Sequence, residues 1–305
     1  MNQDKILLTG ANGFLATILK KNLEEKGLKI YGLSRTKQDF NVDISQSFEL
    51  PLSLDIDVVI HTAGKAHAVP RSAQEEDEFF KVNFDGVKNL CFALEKLVNK
   101  PRAFVFISTV AVYGLDVGEN INEEYPLLGK TPYAKSKIMA ENWLMDWAIK
   151  QNIKLSILRL PLVAGPNPPG NLGAMVSGIR SGRYLTIGQA NAKKSIVWAD
   201  DISTIIPTLV NIGGTFNLTD GCHPSFRELE SAISKCLKKK SNPKKVPFWF
   251  AKGLGYIGDI VGKRFPINSD KLIKITSSLT FSDSKAVDNL GWKPTNVLDK
   301  ISQIV

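Results

Sequence analysis

Cysteine and histidine are scarce in this sequence, and their scarcity narrows the chemistry available to it. There are three of each among 305 residues. The cysteines, Cys91, Cys222 and Cys236, are odd in number and far apart, without the paired spacing of a zinc site or a disulfide framework. We therefore expect no bound metal and a reducing, cytoplasmic location.

The sequence also lacks a long uninterrupted apolar run. Its longest apolar stretch, residues 246–261, contains Lys252, Asp259 and three glycines, and it is shorter than the roughly 20 apolar residues that span a bilayer. Near the N-terminus, Asp4 precedes an apolar strand, in place of the basic, apolar and small segments of a signal peptide. The expectation is a protein without a membrane span or a secretion signal.

Acidic residues are outnumbered: there are 30 of them against 39 lysines and arginines, which leaves a formal net charge of +9. Such an excess suits an anionic ligand, a nucleic acid or a membrane surface. It includes a local basic run, which we interpret as a solvated helix end and loop and which consists of Lys238, Lys239, Lys240, Lys244 and Lys245. Because no RNA-binding signature with interleaved aromatic residues accompanies it, we expect no nucleic-acid partner.

Short apolar runs alternate with longer amphipathic segments through the first half of the chain. The apolar runs are residues 5–8, 29–33, 58–61, 103–107 and 154–158, and the helical segments are residues 16–26, 79–98 and 134–150. Parallel strands covered by helices on both faces are continuously apolar, as these runs largely are. The pattern predicts the α/β class, with a Rossmann-like, doubly wound parallel sheet.

The sequence changes in character after Arg159, where a loop rich in glycine and proline begins. Beyond this loop, the pattern predicts helices at 172–181 and 225–237, a short strand at 215–218 and a final helical segment. Residues 197–210 resemble a strand end and a helix that return to the first domain. We therefore predict a dinucleotide-binding domain at 1–165 with 197–212, and a smaller, discontinuous C-terminal substrate domain at 166–196 and 213–305.

A glycine turn follows the first apolar run. Gly10 permits a tight turn, Gly13 lets the backbone approach a pyrophosphate, and the small Ala16 allows close packing of helix on strand. The N-terminus of the following helix offers unpaired N–H groups and a partial positive charge to phosphates. The turn therefore predicts a dinucleotide cofactor that is bound by Gly10, Asn12, Gly13, Phe14 and Leu15.

No acidic residue ends the second strand, where a carboxylate would bind the ribose hydroxyls of NAD. The strand ends at Ser34 and Arg35 instead, and a guanidinium there can stack on adenine and pair with a 2′-phosphate. We therefore favour NADP(H) as cofactor, and NAD(H) stays open. Two further loops are candidates to line the cofactor, and they contain Asp43, Ile44, Ala63, Gly64 and Lys65.

Tyr133 and Lys137 lie four positions apart at the start of a predicted helix and therefore share one face. A lysine ammonium beside a phenol stabilises phenolate, which would lower the pKa of Tyr133 toward the range useful for proton transfer. Upstream, Ser108 and Thr109 stand at the carboxyl end of a strand, where ligands bind in open α/β sheets. These residues are the candidate catalytic constellation.

Together these motifs resemble the extended short-chain dehydrogenases/reductases over nearly the whole chain, a family with nucleotide-sugar epimerases, dehydratases and 4-ketoreductases. The resemblance implies that Thr109, Tyr133 and Lys137 are catalytic, and that Tyr133 and Lys137 also bind the cofactor. It adds Ser108, Asn83 of an Asn-x-x-Gly motif and Pro161 of the post-strand loop as cofactor contacts. Ala164 stands where the family commonly has an aromatic residue.

The resemblance further implies a UDP-linked nucleotide-sugar between the two domains, in contact with Thr109 and Tyr133. Asn171 matches an asparagine that contacts the diphosphate, and Lys194 with Ser195 matches an element that closes on the nucleotide. Residues 61–69 are closely similar to a subgroup acting on UDP-N-acetyl sugars in bacterial surface polysaccharide synthesis. His67 is therefore a candidate sugar contact, and a plain loop histidine is equally compatible. A homodimer through helices 79–98 and 134–150 is a further implication.

Three functions remain open. The favoured one is NADPH-dependent reduction of the 4-keto group of a UDP-4-keto-6-deoxy-N-acetylhexosamine, with Tyr133 as proton donor, Thr109 on the carbonyl oxygen and Lys137 on the nicotinamide ribose. The alternative is a UDP-sugar 4-epimerase of the UDP-GlcNAc or UDP-Glc type, which uses the same residues with tightly held NAD. The third is a non-catalytic dinucleotide-binding regulator, against which the intact catalytic set argues.

Overall fold

The structure is a computed structural model that describes residues 4–66, 69–261 and 268–305. Its strands are β1 Lys5–Thr9, β2 Lys29–Ser34, β3 Phe40–Asn41, β4 Val58–His61, β5 Ala103–Thr109, β6 Gly118–Ile121, β7 Lys154–Leu160, β8 Leu162–Ala164, β9 Leu185–Ile187, β10 Ile196–Trp198, β11 Gly214–Asn217, β12 Lys244–Val246 and β13 Leu279–Phe281. Its α-helices are α1 Phe14–Glu25, α2 Ala73–Phe80, α3 Gly86–Glu95, α4 Pro132–Gln151, α5 Gly170–Ser181, α6 Ala199–Ile212, α7 Phe226–Cys236, α8 Phe248–Val261, α9 Ser269–Thr276, α10 Ser284–Leu290 and α11 Ile301–Ile304.

Seven of these strands form one parallel sheet, in the order β11-β7-β5-β4-β1-β2-β3. All five apolar runs of the first half are strands of this sheet, as predicted. The chain moves outward from β1 to β2 and β3, then returns to place β4 on the other side of β1. The order of the strands reverses there, and ligands of open α/β sheets bind in the crevice at such a point.

Helices cover both faces of the sheet, because successive side chains of each strand point to opposite sides. Ile6 and Leu8 of β1 pack in a core with α1 and α6, while Leu7 packs in a second core with α3 and α4. The two cores bury the apolar strands from both sides. This arrangement confirms the predicted doubly wound α/β class.

A smaller part of the chain builds its own core beside the sheet. Apolar side chains of α5, β10, α7 and α11 pack together there, including Met175, Trp198 and Ile233. β8 pairs with β10, β9 with β12 and β6 with β13 in two-stranded sheets. The division into two domains stays a prediction. The structure places β11, which we assigned to the substrate domain, beside β7 in the main sheet.

The short strand at β11 extends the main sheet because Phe216 and Leu218 are buried in the same core as α6. Trp292, near the C-terminus, joins that core as well. The return of α6 to the first domain was predicted, whereas the return of β11 and Trp292 was not. Among the helices in the described ranges, none is long and apolar enough to cross a membrane.

Candidate active site

The glycine turn between β1 and α1 leaves the N-terminus of the helix available to an anion. Gly13 is the N-cap of α1, no side chain caps the helix, and the first turn contains no acidic residue. The turn is closed by the Gly13 N–H, which donates to the Gly10 carbonyl at 2.7 Å. The exposed amide groups and the helix dipole therefore suit a pyrophosphate, as predicted.

A cavity of about 750 Å³ lies beside this turn. Ten of the predicted cofactor contacts line it, namely Gly10, Asn12, Gly13, Ser34, Arg35, Asp43, Ile44, Ala63, Gly64 and Lys65. The sequence analysis did not single out Lys81, which lines it too. A cavity of this size at the strand-order reversal, with glycines on one wall and basic side chains around it, fits a dinucleotide.

The loop after β2 is tied to the glycine turn through the side chain of Asn12. Its amide donates to the Thr36 carbonyl at 2.7 Å and its oxygen accepts from Gln38 Nε2 at 2.6 Å. Ser34 ends β2 and the exposed Arg35 follows it on the cavity wall. The guanidinium therefore stands where the second strand would present an acid to the adenine ribose.

Asn83 holds the far wall of the cavity together. It lies in a π-helical turn, residues Lys81–Asp85 between α2 and α3, and π turns occur often at functional sites. Its Oδ1 accepts from the Lys65 N–H at 2.7 Å, and its Nδ2 donates to the Lys65 carbonyl and to Ser136 Oγ at 3.1 and 3.0 Å. The side chain thus fixes the 62–66 loop against α4, and its predicted contact with the cofactor stays a prediction.

Tyr133 and Lys137 are presented by the first turns of α4. This helix begins with Pro132, and the Thr131 hydroxyl caps it by accepting from the Ala134 N–H. The Tyr133 ring contacts Phe79 with ring centroids 6.2 Å apart, and Thr109 at the end of β5 lies near enough to the phenol to affect the pKa of Tyr133. The structure thus brings Thr109, Tyr133 and Lys137 together at the carboxyl end of the sheet.

The pKa of Tyr133 differs from the sequence-based expectation. Burial raises this pKa, and the polar hydroxyl of the nearby Thr109 opposes that rise only in part. Our prediction that Lys137 lowers it is wrong for this structure, because the Lys137 ammonium donates to the Ile107 carbonyl at 2.8 Å and lies 4.5 Å from the Phe106 ring centroid. A raised pKa keeps the phenol protonated at neutral pH.

Lys137 lies in an apolar setting close to the cavity. Burial lowers its pKa to about 8, and a methyl group built on Gly64 would be 3.5 Å from its Nζ. His61 is buried in the same region, and burial together with the charge of Lys137 lowers the pKa of His61 to about 3. The ring is therefore neutral; its Nδ1 bonds to Thr9 Oγ1, and its Nε2 has no partner among the described residues.

Residues 6–218 of the chain match the model of a known protein family, described as the NAD dependent epimerase/dehydratase family. The chain belongs to this family. The finding confirms the resemblance drawn from the sequence and the expectation of an enzyme with a nicotinamide dinucleotide.

Similar curated proteins include N-acetyl-alpha-D-glucosaminyl-diphospho-ditrans,octacis-undecaprenol 4-epimerase of Escherichia coli O157:H7, 27% identical over 92% of this chain and 88% of that protein. UDP-glucose 4-epimerase of Vibrio cholerae is 29% identical over 97% of this chain and 92% of its own length. Among solved structures, UDP-glucose 4-epimerase of Thermotoga maritima with UDP-glucose superposes with a TM-score of 0.76, at 19% identity over 98% of this chain and 96% of that one. The similarity to the Thermotoga maritima structure shows that the two proteins share a fold.

The other predicted contacts of this epimerase/dehydratase family member lie outside the cavity wall. The Phe14 side chain lies near Gly165, and the Leu15 side chain of α1 packs on the core; their predicted cofactor contacts stay predictions. Pro161 connects β7 to β8. The Ser108 hydroxyl donates to Glu141, so its predicted cofactor contact stays a prediction and competes with this bond.

The predicted substrate contacts are spread over the smaller part of the chain. Asn171 is exposed in the first turn of α5. Lys194 is partly buried, and burial lowers its pKa. Ser195 is buried; its hydroxyl bonds to His223 Nδ1 at 3.0 Å and accepts from the Phe281 N–H at 2.8 Å. His67 lies outside the described residues. The role of each in substrate binding stays a prediction.

A buried ionic network lies behind Thr109, Tyr133 and Lys137, and no sequence motif had indicated it. Arg159 of β7 and Glu141 of α4 form a salt bridge, with Nη2 to Oε2 at 2.7 Å and Nε to both oxygens at 3.3 and 3.2 Å. Arg159 also donates to the Tyr113 hydroxyl, which in turn donates to Asn217 Oδ1 at 2.8 Å. The sequence did contain a sign that Glu141 faces the same way as the candidate catalytic residues, since Glu141 follows Lys137 by four positions and Tyr133 by eight on one helix.

The glycine turn offers a test of the cofactor site. We expect Gly10→Ala to weaken NADPH binding on the order of tenfold or more, because the added carbon would be 2.7 Å from the backbone of Ala63 on the cavity wall. Gly182→Ala is the matched control: Gly182 has φ +71, close to +68 at Gly10, but nothing lies within 4 Å of its added carbon. Each variant is titrated with NADPH by fluorescence, and equal affinities for the two variants would contradict the assignment.

Proposed function

We propose that this enzyme reduces the 4-keto group of a UDP-4-keto-6-deoxy-N-acetylhexosamine with NADPH, in the cytoplasmic synthesis of surface polysaccharide precursors such as O-antigen. A UDP-linked sugar is the substrate class because similar family members are named for UDP-glucose. The N-acetyl and 6-deoxy features rest on the resemblance of residues 61–69 to a subgroup that acts on UDP-N-acetyl sugars.

The observation that carries the reductase proposal is Arg35 on the cavity wall directly after β2. A 2′-phosphate on the adenine ribose would pair with this guanidinium, which selects NADPH, the cofactor from which a reductase draws its hydride. An epimerase restores its NAD within each cycle and gains from binding the ribose hydroxyls through an acid. Ser34 and Arg35 occupy the place of that acid.

The three proposed catalytic residues can carry out this reduction. Bound NADPH supplies the hydride to C4 of the sugar. Tyr133 then donates its phenolic proton to the carbonyl oxygen, which becomes the C4 hydroxyl, and a raised pKa keeps that proton in place at neutral pH. Thr109 would hydrogen-bond the same oxygen, and Lys137, whose ammonium lies beside Gly64, would hold the nicotinamide ribose.

A 4-epimerase is the second candidate, and the comparisons favour it. Two similar curated proteins are named as 4-epimerases, and each aligns with more than nine-tenths of this chain. The same Tyr133 and Lys137 would serve both reactions. The two candidates differ in whether the cofactor leaves the enzyme between turnovers.

The deciding experiment follows NADPH absorbance with a UDP-4-keto-6-deoxy-N-acetylglucosamine, prepared enzymatically, as substrate. We expect one NADPH consumed per sugar reduced and a protein that purifies without bound nucleotide. In parallel, UDP-GlcNAc and UDP-Glc are incubated without added cofactor and analysed for UDP-GalNAc and UDP-Gal. Interconversion in that second reaction, together with stoichiometric NAD in the purified protein, would replace the reductase with the epimerase.

The cofactor preference is tested at Arg35. We expect Arg35→Asp to raise the Kd for NADPH about 10- to 100-fold, because charge-assisted hydrogen bonds to the 2′-phosphate are lost and a repulsive carboxylate replaces them. The Kd for NADH should change by no more than a few fold. Lys37→Asp makes the same charge change two residues along the exposed loop and should leave both affinities near their original values. Equal losses of NADPH and NADH in Arg35→Asp would remove the basis for NADP selection.

A further inference from the structure

Helix α8 presents its large apolar side chains to the outside. Trp249 is 73% exposed and Tyr256 56%, and Phe248, Phe250 and Ile257 are each nearly half exposed. The side of α8 that is buried carries small residues, Ala251, Gly255 and Gly258. A helix of a globular protein normally turns its large apolar residues inward.

The inverted pattern follows from how α8 packs on its neighbour. The Gly255 position closely approaches the start of α9, since a carbon added there would lie 3.5 Å from the Ser269 N–H nitrogen. Asp259 fixes the same junction by accepting from the Ser269 backbone and hydroxyl. Small residues make this close approach. Within the described ranges 4–66, 69–261 and 268–305, Phe248 borders Gly188 at one edge of the aromatic face, and the ring contacts found for Trp249 and Tyr256 stay inside α8.

Positive charge borders this aromatic face. Between residues 238 and 261 there are six lysines and one acidic residue, Asp259. The Asp259 carboxylate already accepts the two hydrogen bonds from Ser269 at the start of α9. Lys244 and Lys245 of β12 lead directly into α8, Lys252 lies within it, and all three are exposed. Exposed Trp, Tyr and Phe beside lysines are the composition of a helix that lies in the interface of an anionic bilayer.

A second copy of the chain is the less suitable occupant. The helices predicted to form the homodimer, α3 and α4, carry exposed apolar side chains of their own, including Phe92, Met139 and Met145. Two α8 faces brought together would also bring their lysines together, and this like-charge contact costs free energy. An anionic surface complements both the aromatic residues and the lysines.

We propose that the aromatic face of α8, with the lysines that precede it, docks the enzyme peripherally on anionic phospholipid membranes. The aromatic side chains enter the boundary between headgroups and acyl chains, and the lysines contact the lipid phosphates. The association is reversible and electrostatic in part, so it weakens as ionic strength rises. The proposal gives the lysines of the 238–245 run a role beyond that of a solvated helix end and loop, and it is independent of which sugar reaction the active site performs.

The test measures co-sedimentation of the full-length protein with sucrose-loaded vesicles of phosphatidylcholine, with and without 30% phosphatidylglycerol, a fraction of the order found in anionic membranes. We expect binding to the anionic vesicles that is lost at high salt, and little binding to phosphatidylcholine alone. The double substitution Trp249→Ser and Phe250→Ser should weaken binding on the order of tenfold. Lys244→Glu with Lys245→Glu should weaken it by about 10- to 30-fold.

Matched control variants distinguish the contribution of the aromatic face of α8 from general effects of surface hydrophobicity and net charge. Leu52→Ser removes an apolar side chain that is 60% exposed in the sheet part of the chain, and Lys150→Glu with Lys293→Glu makes the same change in net charge on exposed residues elsewhere. Both should bind as the parent does. Equal binding to both vesicle types, unchanged binding in the α8 variants, or a dimer that Trp249→Ser and Phe250→Ser dissociate would each overturn the proposal.

Discussion

Tyr133→Phe should lower turnover by about two to four orders of magnitude, while the Kd for NADPH stays within a few fold of the parent value. The substitution removes only the phenolic hydroxyl, which lies near Thr109 and which, in the proposed mechanism, carries the proton for the sugar oxygen. The aromatic ring stays, and so does its contact with Phe79 at 6.2 Å. Loss of turnover with the cofactor still bound is therefore the signature of a missing proton donor.

The measurement is the initial rate of NADPH oxidation with the keto-sugar, together with a fluorescence titration of NADPH. Tyr256→Phe, on the exposed face of α8, removes a phenolic hydroxyl far along the chain from the catalytic helix and should keep the parent rate. If the enzyme proves to be an epimerase, the same pair of variants is compared on its UDP-sugar. A Tyr133→Phe enzyme as fast as the parent would assign the proton transfer to another group.

Much of the fold was predictable because its signals are local. Each strand of the first half is a continuous apolar run, since both faces of a parallel sheet are buried, and the turn at Gly10 needs a residue that tolerates a φ of +68. The pairing of β11 with β7 was not predictable in this way. A three- or four-residue apolar strand has no periodicity that tells which sheet it joins.

The grouping of the proposed catalytic residues could be predicted for a similar reason. Tyr133 and Lys137 are four residues apart on one helix, so helix geometry alone brings them to one face. The pKa of Tyr133 could not be predicted from the sequence, because desolvation depends on what surrounds the phenol in three dimensions. Sequence spacing places the lysine near the tyrosine, but the Ile107 carbonyl that binds its ammonium lies 30 residues away.

The buried Glu141–Arg159 ion pair could not be predicted from the sequence. The sequence presents each residue as one charge among many, and only the packing of α4 on β7 leaves Glu141 with no exposed side-chain surface and Arg159 with 7%. Ser108, at the end of the strand that also carries Thr109, donates to the same carboxylate. The network therefore links the strand end and the helix that together present the catalytic residues.

Arg159→Met should lower the free energy of unfolding by about 3–5 kcal/mol, because it leaves the Glu141 carboxylate buried without its cation. The matched control is Lys96→Met, which breaks the exposed ion pair with Glu49 and should cost no more than about 1 kcal/mol. The free energy of unfolding of each variant is measured by urea denaturation in the absence of cofactor. Equal losses in the two would show that Glu141 is solvated or protonated at little cost, contrary to the structure.

The double variant Arg159→Met with Glu141→Leu distinguishes a structural ion pair from a positioning one. Replacing both charges with apolar side chains removes the unpaired carboxylate, so most of the stability lost in Arg159→Met should return. The apolar pair leaves Ser108 and Tyr113 without their charged partners, and these groups hold the end of β5 and the turn after it. We therefore expect turnover to remain below the parent value even where stability recovers, because Thr109 and Tyr133 are presented by the elements that the network joins. Full recovery of both quantities would limit the network to a role in folding, and recovery of neither would show that the double variant does not pack as an apolar pair.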